Sequence, residues 1–484
     1  MEPNKMSLLT DLYELTMMQG YFKTNNRSRV VFDLFYRDNP CGGGYAICCG
    51  LQQALDYIEN LSFSDEEVKY LDSLGIFDED FLEYLRGFHF SGDIYAIPEG
   101  TVVFPRESLV KVVAPSMEAQ LVETALLNII NHQTLIATKA ARVCYAAGND
   151  GVMEFGLRRA QGPDAGTYGA RAAVIGGCNG TSNVLAAKMF DVPAKGTHAH
   201  SWIMSFPDEY TAFRRYAELY PQGCILLIDT YDTLESGLPN AIRVFQEFKD
   251  EGHPLKSYGI RMDSGDLAYL SKEVRRRLDE AGFPDAIISA SNDLDEYLIE
   301  SLKQQGATIT SWGVGTSMII SRDCPALGGV YKLAAIEQNG EFIPKIKLSE
   351  NTEKNTNPGN KDIFRIYDKA TGKIRADLIC MNGETFDESQ DMVLFDPKET
   401  WKKTKLKGGT YTMRPLLEHV VDGGKVVYKS PSVMEIRDIR QKEMDTLWDE
   451  NKRFSNPSQV YVDLSDKLYD TKSKVLDELT KVKF

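Results

Sequence analysis

Residues 258–266 read Tyr258-Gly259-Ile260-Arg261-Met262-Asp263-Ser264-Gly265-Asp266, a short apolar segment that ends in arginine, aspartate, serine and glycine. Further segments of the chain share this arrangement of an apolar run followed by reactive or small residues; they are 153–159, 196–201, 225–232, 287–293 and 311–317. Parallel βα barrels carry their active sites on the loops that follow the strands. The repeated pattern therefore predicts a barrel with its reactive side chains collected at one end.

Strands and helices alternate from about residue 140 to 335, which indicates parallel strands joined by helical crossovers. A chain of 484 residues is also too long for one hydrophobic core. We expect an α/β protein with an N-terminal α+β domain at 1–138, an irregular βα barrel at 139–340 and a C-terminal α+β extension at 341–484. The helices expected in the barrel are 169–177, 184–190, 235–250, 267–281 and 295–305.

The composition is that of an ordinary globular protein, with 43% hydrophobic and 26% charged residues. No apolar run approaches the roughly 18 residues that span a bilayer, and the first residues lack the layout of a signal peptide. The eight cysteines are scattered without a Cys-x-x-Cys pair, which favours buried, reduced thiols. These features predict a cytoplasmic protein that is not bound to a membrane.

The net charge is −15, from 55 basic and 70 acidic residues. This balance argues against nucleic acid or an anionic membrane as the main partner. It does not exclude anionic small molecules, because a local group of arginines can act against the overall sign.

Two histidines lie close together in Gly196-Thr197-His198-Ala199-His200-Ser201. If this segment is a strand, the side chains of His198 and His200 share one face. They are suited to binding a metal, to hydrogen bonding within the fold, or to acting as a nucleophile or acid/base. No cluster of further His or Cys ligands accompanies them, which disfavours the metal. Neutral imidazole can attack a phosphorus atom without prior loss of a proton.

Arg261 and Asp263 alternate on one face of their predicted strand. An arginine fork suits a carboxylate or a phosphate, and a nearby acid suits ribose hydroxyls or Mg²⁺. A surface salt bridge is the alternative. Asp229 and Asp232 follow another apolar strand and are also Mg²⁺ candidates, although Asp232 is equally suited to capping the next helix.

Gly313, Gly315 and Thr316 follow a late strand, where small residues let the backbone approach a phosphate. A plain tight turn is the alternative. Phe155 and Arg158 follow the first barrel strand. An aromatic ring beside an arginine can stack on a planar ligand, although Phe155 is equally suited to a core position.

Motifs that cover roughly residues 8 to 337 resemble, in content and order, those of nicotinate phosphoribosyltransferases. They are Thr10-Asp11-Leu12-Tyr13, Glu154-Phe155-Gly156-Leu157-Arg158-Arg159, Gly196-Thr197-x-Ala199-His200-Ser201, Arg261-x-Asp263-Ser264-Gly265-Asp266, Ser291-Asn292-Asp293-Leu294-Asp295-Glu296 and Gly313-Val314-Gly315-Thr316-Ser317. Leu327-Gly328-Gly329-Val330-Tyr331-Lys332-Leu333 adds a seventh. Their common order is far more specific than any one motif.

The resemblance implies an enzyme that makes nicotinate mononucleotide and pyrophosphate from nicotinate and phosphoribosyl pyrophosphate. It implies coupling to ATP hydrolysis through a phosphohistidine at His200, Mg²⁺ as cofactor, and a place in NAD biosynthesis by salvage of nicotinate. It also implies that such an enzyme is classed as a ligase although it transfers a pentosyl group. The C-terminal domain would pack back on the N-terminal region.

By the same resemblance, Tyr13 and Phe155 sandwich the pyridine ring, and Thr197 and Arg261 contact nicotinate. Tyr13 would come from the partner subunit, which implies a homodimer with composite active sites. The residues that would bind phosphoribosyl pyrophosphate are Arg158, Asp263, Gly313, Gly315 and Thr316.

Ser182 stands where nicotinamide-using relatives carry an aspartate, which would repel a carboxylate. Ser182 together with Arg261 therefore favours the acid. Rival functions are a related phosphoribosyltransferase of nicotinamide or quinolinate, a sugar-phosphate isomerase or aldolase on a similar barrel, and a non-catalytic binding protein.

Overall fold

The computed structural model describes residues 6–253, 255–348, 356–397 and 399–481. Its strands, in chain order, are β1 (Arg29–Tyr36), β2 (Ala46–Ile47), β3 (Asp93–Ala96), β4 (Val102–Val103), β5 (Val110–Pro115), β6 (Gly151–Glu154), β7 (Gly180–Thr181), β8 (Cys224–Leu227), β9 (Tyr258–Met262), β10 (Ile287–Ala290), β11 (Ser311–Val314), β12 (Gly329–Gln338), β13 (Glu341–Pro344), β14 (Lys361–Asp368), β15 (Ile374–Met381), β16 (Met392–Phe395), β17 (Lys403–Leu406), β18 (Tyr411–Pro415), β19 (Glu418–Asp422), β20 (Lys425–Val426) and β21 (Tyr461–Leu464).

The helices are α1 (Leu12–Lys23), α2 (Leu51–Asn60), α3 (Asp65–Ser73), α4 (Glu79–Arg86), α5 (Ser116–Leu121), α6 (Glu123–Ala147), α7 (Pro163–Ile175), α8 (Val184–Phe190), α9 (His200–Met204), α10 (Glu209–Leu219), α11 (Leu238–Asp250), α12 (Leu267–Glu280), α13 (Glu296–Gln304), α14 (Thr316–Ile319), α15 (Val433–Thr446), α16 (Asp449–Lys452) and α17 (Asp466–Lys481). Within the described ranges, no helix combines the length and the apolar character needed to cross a membrane.

The chain divides into two compact units. The barrel unit has its described residues within 136–325 and 432–437. The terminal unit has its described residues within 1–135, 326–431 and 438–484, so it draws on both ends of the chain.

The barrel unit is built on a parallel sheet that, among the described residues, has six strands in the order β7-β6-β11-β10-β9-β8. Ile288 pairs with Ile260, and Trp312 pairs with Val152. All four side chains are buried, as expected for parallel strands covered on both faces. Because the strands run the same way, their carboxyl ends meet at one edge of this half-barrel.

Aspartates fix the start of several barrel helices. Asp208 accepts the Thr211 N–H at 2.7 Å before α10, and Asp295 accepts the Leu298 N–H at 2.8 Å before α13. Asp266 accepts the N–H three residues on in the same way before α12. Such caps satisfy N–H groups that the first helical turn leaves without partners. They therefore mark the residues at which these helices begin.

The terminal unit contains an antiparallel sheet in the order β13-β12-β1-β5-β3-β19-β20 and a four-stranded sheet in the order β18-β14-β15-β21, counting described strands only. β19, from the C-terminal third of the sequence, pairs with β3, and Val421 lies opposite Ile94. Arg365 of β14 is fully buried and donates to the Asp377 carboxylate at 2.6 Å. A buried guanidinium needs such a partner to offset its loss of hydration.

The predicted fold class is confirmed: the protein is α/β, with a parallel half-barrel sheet and N- and C-terminal α+β parts. The helices expected in the barrel correspond to α7, α8, α11, α12 and α13. The strand expected at 196–201 is wrong, since α9 begins at His200 and the residues before it form a loop. Unlike the other segments grouped with it in the repeated pattern, 196–201 has no apolar run of its own, which is the physical reason that it does not form a strand. The boundaries 138/139 and 340/341 stay a prediction.

Candidate active site

His200 begins α9, with Ala199 as its N-cap residue. Its Nδ1 lies 3.1 Å from the Thr230 hydroxyl oxygen. Its Nε2 lies 4.0 Å from Oδ1 of Asp229 and 4.0 Å from Oδ2 of Asp263. The ring is partly open to solvent, with 40% of the side chain exposed. Two carboxylates therefore face one nitrogen of an accessible imidazole.

Asp229 follows β8 and is almost completely buried, with 2% of its side chain exposed. Its Oδ2 accepts the Asp263 N–H at 2.8 Å and the Ser264 hydroxyl at 2.7 Å. Its Oδ1 is buried and has no hydrogen-bond partner among the described residues. A buried carboxylate oxygen without a partner is costly. The oxygen is therefore suited to a cation or to a proton on the facing His200.

Arg261 lies on β9 and points its Nη1 at the Thr197 hydroxyl, to which it donates a hydrogen bond. Burial lowers the pKa of the guanidinium, although the nearby Asp263 and Asp229 act in the opposite direction. Its Nε is buried and has no hydrogen-bond partner in the described part of the chain. Arg261 thus offers an unused donor for an anion, because a buried guanidinium gains most from a planar acid.

Phe155 and Gly313 are in contact at the ends of β6 and β11. The Phe155 N–H donates to the Val314 carbonyl at 2.8 Å, which joins the two strand ends. A Cβ atom on Gly313 would lie 2.7 Å from Cδ2 of Phe155, closer than carbon atoms pack. Gly313 therefore makes room for the aromatic ring, which is only partly buried.

Of the predicted phosphate-binding residues, Gly313 lies within β11, and the others follow β6, β9 and β11. Arg158 is exposed in a short 3₁₀ turn, Leu157–Arg159. Gly315 precedes α14, which begins at Thr316. Asp263 accepts a hydrogen bond from the Ser291 hydroxyl, which links the ends of β9 and β10. These residues share the carboxyl edge of the sheet.

Ser182 follows β7, and its N–H donates to the Glu154 carbonyl at 2.9 Å. The Glu154 carboxylate is buried and accepts hydrogen bonds from the Thr181 hydroxyl at 2.6 Å and from the Gly156 N–H. Burial raises the pKa of Glu154. Glu154 thus braces the loops that carry Phe155 and Ser182, a position that the sequence did not reveal.

The chain matches three family descriptions that together span most of its length. Residues 8–131 match the nicotinate phosphoribosyltransferase N-terminal domain, residues 151–371 the nicotinate phosphoribosyltransferase family, and residues 360–472 its C-terminal domain. The chain belongs to the nicotinate phosphoribosyltransferase family.

Among relatives in this family, the nicotinate phosphoribosyltransferase of Bacillus subtilis (strain 168) is 46% identical and is aligned over 98% of both chains. One from Mycobacterium tuberculosis is 37% identical over 96% of this chain and 92% of that protein. The crystal structure of human nicotinic acid phosphoribosyltransferase superposes with a TM-score of 0.84 and 30% identity, covering 96% of this chain and 99% of that one.

Two further predicted site residues are Tyr13, from the family motifs, and Asp232, a Mg²⁺ candidate from its position after a strand. Tyr13 lies on α1 of the terminal unit and is 46% exposed. Asp232 accepts the N–H groups of Leu234 and Glu235 and caps the turn Thr233–Gly237. Its carboxylate thus has the capping role that the sequence left open, while a role in Mg²⁺ binding stays a prediction.

Thr230 was missed by the sequence argument, although it supplies the hydroxyl beside His200 Nδ1. The signal was present, since Thr230 stands directly after the predicted strand and Asp229. Only the fold shows that the loop before α9 comes to this strand end.

Proposed function

We propose that this protein transfers the phosphoribosyl group of phosphoribosyl pyrophosphate to nicotinate, forming nicotinate mononucleotide and pyrophosphate, and that ATP hydrolysis drives the cycle through phosphorylation of His200. This reaction salvages nicotinate for NAD biosynthesis. Membership of the nicotinate phosphoribosyltransferase family supports the reaction class. The geometry around Arg261 and His200 supports the assignment of roles.

The observation that carries the proposal is the partly buried Arg261, whose buried Nε has no hydrogen-bond partner among the described residues. An anion is the natural occupant, because the guanidinium has lost much of its hydration. Thr197, already bonded to Nη1, supports a second contact at the same place. Nicotinate carries one carboxylate on a flat ring, and Phe155 provides an aromatic surface at the carboxyl end of β6, on the same edge of the sheet. Ser182 adds no negative charge that would repel the acid.

The transfer itself requires only positioning and charge stabilisation. The pyridine nitrogen uses its lone pair to form a bond to C1 of the ribose while the bond from C1 to the pyrophosphate oxygen breaks. Asp263 is suited to the ribose hydroxyls, and Arg158 to the departing pyrophosphate. The backbone at Gly313 and Gly315 and the hydroxyl of Thr316 are suited to the 5′-phosphate. Charge on the leaving group is then met by fixed donors.

His200 is arranged to accept a phosphoryl group from ATP. Asp229 and Asp263 both face Nε2, and two negative charges favour a proton on that nitrogen. Nδ1 then keeps its lone pair, towards which the Thr230 hydroxyl donates. Attack of Nδ1 on the γ-phosphorus forms an N–P bond and releases ADP. Later hydrolysis of this phosphohistidine restores the imidazole.

Mg²⁺ fits the acids at this edge of the sheet. Oδ1 of Asp229 is a buried carboxylate oxygen without a partner among the described residues, and Asp263 lies beside it. Oxygen ligands of this kind suit a hard divalent cation. When bound, the ion would neutralise charge on the phosphates of ATP and phosphoribosyl pyrophosphate.

The proposal includes a cytoplasmic homodimer in which Tyr13 completes the site of the second copy. Tyr13 and Leu12 are neighbours on α1, and their exposed fractions are 46% and 53%. Apolar side chains exposed together on one helix suit a protein partner. In the dimer, Tyr13 would stack on the face of the pyridine ring opposite Phe155.

The experiment that tests the role of Arg261 compares Arg261→Lys with Arg243→Lys. Lysine keeps the charge but cannot form the planar fork. We expect Arg261→Lys to raise the KM for nicotinate by about tenfold or more, the loss of roughly one charge-assisted hydrogen bond. Arg243 is a matched control, because it is exposed and packs over the Tyr210 ring. An unchanged KM in Arg261→Lys would contradict the assignment.

A further inference from the structure

The barrel sheet leaves an open edge at β8. β8 pairs only with β9 in the sheet order of the described strands. Cys224 and Ile228 direct their N–H groups towards the β9 side, donating to Ser257 and Arg261 carbonyls at 2.8 and 3.1 Å. Alternate residues of a strand point their N–H groups to opposite sides. The N–H of Leu227 therefore points to the open edge, where none of the described strands accepts it.

His198 supplies the missing acceptor. Its Nε2 accepts the Leu227 N–H at 3.3 Å, and the residue is only 8% exposed. Its ring packs edge-on against Tyr216 of α10, with the ring centroids 4.6 Å apart. Since Nε2 accepts, the ring proton belongs on Nδ1, which lies 3.5 Å from the Ala199 carbonyl oxygen. Burial lowers the pKa of His198 to about 4, which keeps the ring neutral.

The residues before His198 are attached to the opposite edge of the same sheet. Thr181 of β7 donates its N–H to the Pro193 carbonyl at 3.0 Å, and its own carbonyl accepts the Lys195 N–H at 2.9 Å. Thr181 also forms a parallel bridge with Ala194. The segment 193–198 therefore runs from one edge strand of the half-barrel to the other.

We propose that His198 is a positioning residue that fastens this closing segment to β8 and so holds Thr197 and His200 in place. This inference rests on the proposed function. Thr197 and His200 flank His198 within two residues. Thr197 contacts Arg261 on β9, and His200 contacts Thr230 on the loop after β8. A loose segment would misplace both contacts together. Nicotinate binding and His200 phosphorylation would then weaken in parallel.

The test uses two substitutions at one position. His198→Leu fills similar space but cannot accept the Leu227 N–H, whereas the side-chain oxygen of His198→Gln can. We expect His198→Leu to raise the KM for nicotinate and to slow phosphorylation of His200, each by about tenfold, the worth of one net hydrogen bond. His198→Gln should restore most of the affinity for nicotinate and most of the rate of His200 phosphorylation. His253→Leu is the matched control, since His253 is exposed in the same unit.

The outcomes separate the inference from the function on which it rests. If the unaltered protein forms no nicotinate mononucleotide, the proposed function fails. If the unaltered protein forms nicotinate mononucleotide, and His198→Leu has the same KM for nicotinate and the same rate of His200 phosphorylation, the positioning role fails. Loss of both activities in His198→Gln as well would also contradict the role of the acceptor.

A second measurement does not depend on the variants folding. ¹⁵N spectra of the histidine-labelled protein should show His198 with a proton on Nδ1 and none on Nε2 between pH 6 and pH 8. A proton on Nε2 would overturn the proposal, because that nitrogen could not accept the Leu227 N–H.

Discussion

Oδ1 of Asp229 lies 4.0 Å from Nε2 of His200 and, although buried, has no hydrogen-bond partner among the described residues. The same carboxylate uses its other oxygen to hold the Asp263 N–H and the Ser264 hydroxyl. Asp229 therefore has two roles. It braces the loop after β9, and it faces the imidazole that we propose to be phosphorylated.

Replacing His200 by asparagine should uncouple ATP from the transfer. The variant lacks the nucleophile, so no phosphoprotein should form, and ATP hydrolysis should fall by at least about 100-fold. Nicotinate mononucleotide should still form slowly without ATP stimulation, because Arg261 and Phe155 are untouched. The measurements are acid-labile phosphate on the protein and ADP release. His253→Asn is the control, and full ATP stimulation of His200→Asn would rule out the phosphohistidine.

Asp229→Asn should raise the Mg²⁺ concentration needed for half-maximal activity and lower kcat by about 100-fold, a typical loss for a charged group that stabilises a reacting centre. Asp232→Asn keeps the cap, because asparagine caps a helical turn as well as aspartate does, so a shift in its Mg²⁺ requirement would report ion binding alone. Activity is measured against Mg²⁺ concentration for both variants. Equal shifts in the two would mean that Asp232 also holds the ion.

Gly313→Ala should push the Phe155 ring from its place, because the new Cβ would lie 2.7 Å from a ring carbon. We expect a rise of about tenfold in the KM for nicotinate, equivalent to about 1.4 kcal/mol, with little change in thermal stability. Gly223→Ala is the control, since nothing lies within 4 Å of the added Cβ there. If Gly313→Ala bound nicotinate normally, the ring contact would have no role in binding.

Ser182→Asp should weaken the use of nicotinate, because a carboxylate at this position would repel that of the substrate. The ratio of kcat/KM for nicotinate to that for nicotinamide is the measured quantity, and it should fall by about tenfold or more. Ser205→Asp adds the same charge at an exposed position of the barrel unit. Unchanged nicotinate kinetics in Ser182→Asp would remove Ser182 from the specificity argument.

Because of Glu14, the free energy of unfolding should fall as the pH rises from 5 to 7. Burial raises the pKa of its carboxyl group from 4.5 to about 7, although Thr10 and Thr124 donate to it. The folded state then binds more protons than the unfolded state in this range, so its stability is greatest below about pH 4.5 and falls up to about pH 7. The loss is at most about 3.5 kcal/mol, since the pKa rises from 4.5 to about 7 and one pKa unit corresponds to about 1.4 kcal/mol.

Urea unfolding at several pH values measures this effect. Glu14→Gln stays neutral, so its stability should decline less between pH 5 and pH 7 than that of the unaltered protein. Glu79→Gln, at an exposed position on α4, should keep the full decline. If the free energy of unfolding changed with pH in the same way for Glu14→Gln and for the unaltered protein, Glu14 would not titrate in this range.

Local patterns predicted the strands and helices of the barrel. Apolar runs such as 287–290 give buried parallel strands, and acidic residues such as Asp266 and Asp295 cap the helices that follow. The loop before α9 was misjudged because its geometry depends on distant partners. Leu227 donates its N–H to His198, and Thr230 contacts His200, across 29 and 30 positions of sequence.

The strand pairing in the terminal unit also could not be predicted from residues that are close in sequence. Val421 pairs with Ile94, and Leu333 pairs with Phe32, across several hundred residues. Such pairings depend on matching registers and shared burial rather than on neighbouring residues. The candidate reactive side chains could be found from the sequence because they follow apolar strands. The supporting role of a residue such as Glu154 could not be found in this way.

The most direct test is to incubate the purified protein with phosphoribosyl pyrophosphate and Mg²⁺, offering nicotinate or nicotinamide, each with and without ATP. We predict nicotinate mononucleotide from nicotinate, formed faster with ATP and accompanied by ADP. Product from nicotinamide but not from nicotinate would contradict the substrate assignment, and no nucleotide from either base would contradict the proposed reaction.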